Sequence, residues 1–171
     1  MVGRDRWVGW RMAIGFLGCA WAGIGMASVS SRALDQAVSA GARIFNNDSF
    51  GSTVRPVENA SRAFAMAGTD VKPVGSPFLT CATCHINGGR TRGLLEDGRR
   101  FASLRNAAAV FPRYNVKLHR TMTLTAQIRH CVRAGIVGRP PAYTSAAMVD
   151  LVSYLTSLAT GVPMAIGGPT R

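Results

Sequence analysis

Apolar side chains recur at spacings of three and four in three segments of this 171-residue chain, which is the period of a helix with one buried face. Between Leu34 and Asn46 the stripe runs through Leu34, Ala37, Val38, Gly41, Ile44 and Phe45. From Leu124 to Ala134, Leu124, Ile128 and Cys131 share a face at steps of four and three. The third stripe is Met148, Leu151, Val152, Leu155 and Leu158. It lies in a helix expected over Ala146–Ala159, with Ser145 as N-cap and Gly161 and Pro163 beyond its end. Two weaker helical segments are expected, one over Val57–Ala67 around Phe64 and one over Arg99–Val110, the latter stopped by Phe111-Pro112-Arg113-Tyr114. Asn47–Thr53, Lys72–Ser76 and Gly135–Pro141 read as irregular connections rich in Asn, Ser, Gly and Pro. No strand is strongly signalled and no repeat is visible, so the expectation is a small all-α domain.

The first 33 residues follow a different rule. Arg4, Arg6 and Arg11 precede an apolar stretch from Met12 to Val29, and Ser31-Arg32-Ala33 supplies small residues around a cleavage point. This is the layout of a secretory signal peptide, with residues 34–171 as the mature domain. The alternative is an uncleaved membrane anchor, which Gly15, Gly18, Gly23 and Gly25 make a weak span. Export implies a periplasmic location.

Cys81-Ala82-Thr83-Cys84-His85 changes the picture most. Two thiols at this spacing can add across the vinyl groups of one haem, and the following imidazole can bind its iron, so the motif reads as attachment of a single covalent haem c. A redox dithiol of the thioredoxin kind normally opens a helix inside a βαβ unit, and no strand pattern precedes Cys81. A zinc site would need a second ligand pair, of which there is no sign.

Export also alters the cysteine count. Cys19 leaves with the signal, and Cys81 and Cys84 are used by the haem. Cys131 remains, and an odd cysteine in an exported protein points to an intermolecular disulfide, a reactive thiol or a bond to metal. Met122, in a loop, and Met148, on the last apolar stripe, are rival iron ligands, with His119 and His130 weaker ones.

The formal charge is +12, and loss of four arginines and one aspartate with the signal leaves +9. Nucleic acid is disfavoured by export and by the lack of a basic helix or stacking platform. An acidic redox partner protein, an anionic lipid surface or a small anion fits the charge. Membrane contact otherwise depends on retention of the N-terminal segment.

The chain resembles class I c-type cytochromes, and more closely the cytochrome domains of bacterial thiosulfate dehydrogenases. The resemblance runs from about Gly41 to Pro163 and is carried by Gly41-Ala-Arg-Ile-Phe45, Phe50-Gly51, Cys81–His85, Gly88-Gly89, Phe111-Pro-Arg-Tyr114, Leu124, Ile128, Cys131, Gly138-Arg-Pro140, Met148 and Gly161-Val-Pro163. It implies a class I-like helical fold around the haem and a His85/Cys131 iron, Cys131 being the distal ligand. The chain departs from that family where Ala134-Gly135-Ile136-Val137-Gly138 replaces Arg-Ser-Met-Asn-Gly and where Gln127 replaces an arginine. It also carries one haem motif where most of those enzymes have two.

Two functions follow from these readings. The first is a monohaem electron carrier. The second is a thiosulfate dehydrogenase forming tetrathionate, or a haem subunit of a sulfur-oxidising complex, in which Arg90, Arg92, Arg113, Lys117 or Arg120 would hold the dianion. The lost arginine and serine weaken catalysis more than haem binding, and favour the carrier.

Overall fold

The computed structural model describes residues 23–55, 76–94 and 100–170. The first helix, α1, spans Gly23–Asn47, and the last, α5, spans Ala146–Leu158. They pack directly on each other, and their crossing is set by Gly41: a Cβ there would lie 2.0 Å from the Asp150 carbonyl oxygen and 2.7 Å from the Tyr154 Cβ. Only a residue without a side chain lets the two backbones come this close.

The expected stripe of α5 is buried at Met148, Leu151 and Leu155, and Tyr154 joins it. These residues pack with Phe45, Phe50, Ile128, Val132 and Ile136 in one apolar cluster. Each such side chain removed from water contributes about 1.5–3 kcal/mol. The Ser145 hydroxyl accepts a hydrogen bond from the Met148 amide at 3.3 Å, the N-cap expected from the sequence.

The remaining elements are short. α2 is the single turn Cys81–Cys84, and α3 is Ala107–Val110. α4 runs over Leu124–Cys131, capped by the Thr123 hydroxyl, which accepts from the Ala126 amide at 3.1 Å. Where the sequence pattern continues the helix to Ala134, the backbone widens after Cys131 into a π-helical turn, Val132–Ile136. Val137 ends it in the left-handed region, and Gly138 sits against Phe50, whose carbonyl accepts from the Arg139 amide at 2.8 Å.

Two antiparallel pairs add to the helical plan. β1 (Gly93–Leu94) pairs with β2 (Arg100–Phe101), and β3 (Arg113–Asn115) with β4 (Arg120–Met122), in the register Arg113 to Met122 and Asn115 to Arg120. Strands of two or three residues are too short to display a period of two. The helix expected over Arg99–Val110 is shorter for a related reason. The Leu104 amide donates to the Gly89 carbonyl, and the Ser103 hydroxyl donates to the Arg90 carbonyl at 3.2 Å, so the segment before α3 is tied to the loop after His85.

The expected helix over Val57–Ala67, most of the expected signal or anchor segment, Cys19 and Arg99 lie outside the described residues. Among the described residues no helix is long and apolar enough to cross a membrane.

Candidate functional site

The Leu79 amide donates to the Val54 carbonyl at 2.9 Å, fixing the approach to α2, and the Thr80 amide donates to the Thr83 hydroxyl at 3.0 Å. α2 therefore starts on a fixed residue and lasts one turn, with Cys81 at one end and Cys84 at the other. The His85 amide still closes that turn, donating to the Cys81 carbonyl at 3.0 Å, but its φ of −106° and ψ of 81° turn the chain out of the helix. The two thiols and the imidazole are thus carried by five consecutive residues whose backbone is held at both ends.

The His85 ring is oriented from outside the motif. Its Nδ1 lies 3.3 Å from the Ala102 carbonyl oxygen, which can only accept, so Nδ1 carries the proton and Nε2 is left with its lone pair free for a metal. Phe101 meets the ring edge-on with centroids 5.7 Å apart, and Phe45 stands 6.4 Å away. Burial holds the imidazole below the usual histidine range, partly offset by the Ala102 contact. The neutral form is the one a metal needs.

Cys131 is the last residue of α4 and is half-buried. Its sulfur accepts a hydrogen bond from the Gln127 side-chain amide at 3.2 Å, one turn earlier. Burial raises the Cys131 thiol above its ordinary range, and the Gln127 donor opposes that rise. Cys81 is raised strongly, first by burial and then by the charges of Cys131, Cys84 and Asp48. No disulfide joins Cys81, Cys84 and Cys131 to one another.

This donor set fits a covalent haem. The two thiols stand on one turn beside an imidazole with a defined free nitrogen, and a third, half-buried thiol ends a separate helix. It does not fit a compact tetrahedral ion, because among the described residues no three His, Cys, Asp or Glu side chains converge.

Met148 is 1% exposed inside the apolar cluster, which accounts for it as core. Met122, expected in a loop, is the last residue of β4, also 1% exposed. It lines a cavity with Ala126, Arg129 and His130 of α4. At about 100° per residue those three positions lie 100° or more around the helix from Cys131. His119 is exposed in the β3–β4 turn.

The arginines expected near an anion are dispersed. Arg90 donates to the Tyr154 hydroxyl at 3.2 Å, Arg113 reaches the Thr170 hydroxyl at 3.4 Å, and Arg120 lines the cavity behind α4. Sequence reading missed Tyr154, whose hydroxyl donates to the Gly88 carbonyl at 2.7 Å and so ties α5 to the loop after His85. It also missed that Arg129, Arg133 and Tyr143 join Arg120, and the spacing of four between Arg129 and Arg133 was the available signal.

Residues 71–164 match the family model described as the SoxA/TsdA cytochrome c domain. Among solved structures the chain is similar to the thiosulfate dehydrogenase TsdBA of Marichromatium purpuratum in its as-isolated form. The identity is 25%, the TM-score 0.48, and the match covers 77% of this chain and 24% of that one. The chain thus spans about a quarter of the length of that structure. No curated protein matches it.

Proposed function

The chain belongs to the SoxA/TsdA cytochrome c domain family, and from that premise we propose that it is an exported, periplasmic electron-transfer protein carrying one haem c. Cys81 and Cys84 provide the thioether bonds, His85 the proximal ligand through Nε2, and Cys131 the distal ligand. The observation that carries this reading is the half-buried Cys131 sulfur at the end of its own helix, held 3.2 Å from the Gln127 side-chain amide. A bound haem c supplies reversible one-electron iron chemistry.

The protein's own residues do the rest. The Ala102 carbonyl holds the Nδ1 proton of His85 and aims Nε2, while Phe101 meets the ring edge-on and Phe45 stands beside it. Gln127 places one donor on the Cys131 sulfur and holds it against rotation. A thiolate ligand favours the ferric state and lowers the potential relative to a thioether. The basic surface attracts an acidic redox partner by long-range steering.

Electron transfer is favoured over thiosulfate oxidation by the residues beside the distal sulfur. Gln127 offers a neutral amide where the related enzymes carry a guanidinium, and Ala134 and Gly135, both exposed, bring no side-chain donor. The test is to mature the protein in a periplasm and record a pyridine haemochrome spectrum, then compare wild type with Cys131→Ala by electron paramagnetic resonance of the oxidised form. The expected result is one haem per chain and loss of the low-spin thiolate signal in the variant. A chain without covalent haem overturns the proposal, an unchanged signal removes Cys131, and rapid thiosulfate turnover with an artificial acceptor replaces the carrier by an enzyme.

A further inference from the structure

A cavity of about 310 Å³ lies between β4 and the side of α4 turned away from Cys131, and the electron-transfer reading leaves it unused. Its wall carries Arg120 and Thr121 from β4, Arg129 and His130 from α4, Arg133 from the π-helical turn, and Tyr143 from the loop beyond. The polar groups of this wall are three guanidiniums, one imidazole and two hydroxyls. Asp35, Asp48 and Asp150, the acidic residues among those described, do not line it.

One of the guanidiniums is already held in place. Arg129 donates to the Pro141 carbonyl and stacks on the Tyr143 ring, its guanidinium carbon 4.6 Å from the ring centre. Arg120 and Arg133 have no side-chain partner among the described residues. Arg129 and Arg133, one turn apart, repel each other, and Arg120 adds a third like charge. Favourable alignment with the helix dipole explains Arg129 and His130 in the last turn of α4. It does not explain why Arg120 and Tyr143, from two other segments, meet them.

We infer that this cavity binds a small divalent oxyanion, a tetrahedral sulfur or phosphorus oxyanion held between Arg120, Arg129 and Arg133. Such a ligand offers acceptors on several sides, which suits guanidinium forks from three segments and the Thr121 and Tyr143 hydroxyls. It also removes the repulsion among the arginines. The site is separate from the face of α4 that carries Cys131.

The experiment is isothermal titration calorimetry of the oxidised holoprotein at low ionic strength, with sodium sulfate, thiosulfate and phosphate in separate titrations and sodium chloride as reference. Saturable binding of one dianion per chain is expected, weakened about tenfold or more by Arg120→Ala and by Arg133→Ala. Arg43→Ala, which removes an exposed arginine of α1, should leave it unchanged. Absence of saturation with all three dianions overturns the assignment, as does equal weakening by Arg43→Ala, which would mark diffuse attraction to net charge. Binding of a hexaglutamate peptide that depends on Arg120 and Arg133, with the three dianions silent, would reassign the cavity to an acidic protein segment.

Discussion

The side-chain amide nitrogen of Gln127 stands 3.2 Å from the sulfur of Cys131, one helical turn away on α4. A donor at this distance withdraws charge from a thiolate and stabilises the more electron-rich, reduced state of an iron it binds. Gln127→Leu keeps the helix and most of the side-chain volume but removes the donor. The reduction potential of the holoprotein should fall by on the order of 50 mV, equivalent to about 1 kcal/mol for one electron. Potentiometric titration of both proteins checks this, and an unchanged or raised potential separates Gln127 from the iron ligand.

Val137 is a β-branched residue at φ 60° and ψ 36°, where it ends the π-helical turn. The left-handed conformation costs an ordinary side chain about 1–2 kcal/mol, and asparagine tolerates it better. Val137 is 61% exposed, so replacing it disturbs no packing. Val137→Asn should raise unfolding stability by about 1 kcal/mol in urea titrations of the holoprotein. Equal or lower stability would sink the strain argument.

Much of this was legible because it rests on local chemistry or on long periodic segments. Ser145 caps α5 and Met148, Leu151 and Leu155 face the core because thirteen helical residues repeat the pattern often enough to define a face. Ile128 is buried and Leu124 packs against the same cluster because their spacing of four fixes the phase of α4, with Cys131 half-buried at its end. Other features depend on partners distant in sequence. Strands of three residues, such as β3 and β4, carry no pattern of their own, and the π-helical turn after Cys131 preserves the apolar spacing while changing the geometry. Arg120 joins Arg129 and Arg133 only because β4 packs beside α4, and Tyr154 reaches Gly88 across 66 positions.

Gly41 is where α1 and α5 touch, and the 2.0 Å separation between its virtual Cβ and the Asp150 carbonyl leaves no room for a methyl group. Gly41→Ala gains helix propensity of about 1 kcal/mol but must push the helices apart. Forcing atoms into a packed contact costs about 1–3 kcal/mol and more when backbone has to move. A net loss of about 2 kcal/mol is expected in urea unfolding. Stability equal to wild type would mean that the helices cross elsewhere.

Tyr154 is 3% exposed, with its hydroxyl donating to the Gly88 carbonyl and accepting from Arg90. Tyr154→Phe retains the ring contact with Phe45, whose centroid is 5.4 Å away, and deletes only the polar link. Leaving the Gly88 carbonyl without that donor should cost about 1–2 kcal/mol. Amide hydrogen exchange should quicken at Gly89 and Arg90 before it does in α5. Uniform acceleration across both would show that Tyr154 acts through the core instead of the loop.

Met122 separates the two candidate distal ligands. A thioether bound to iron cannot be exchanged for leucine without loss of that bond, whereas a methionine that only fills space can. Met122 is 1% exposed and lines the cavity on the side of α4 away from Cys131. Met122→Leu is close to a volume-conserving swap and should cost less than about 1.5 kcal/mol. The ferric absorption spectrum, the paramagnetic resonance signal and the potential should all match wild type. A shift in the spectrum together with a fall in potential would transfer the distal position from Cys131 to Met122. Cys131→Ala then serves as the reciprocal measurement, expected to change all three properties while leaving the covalent haem in place.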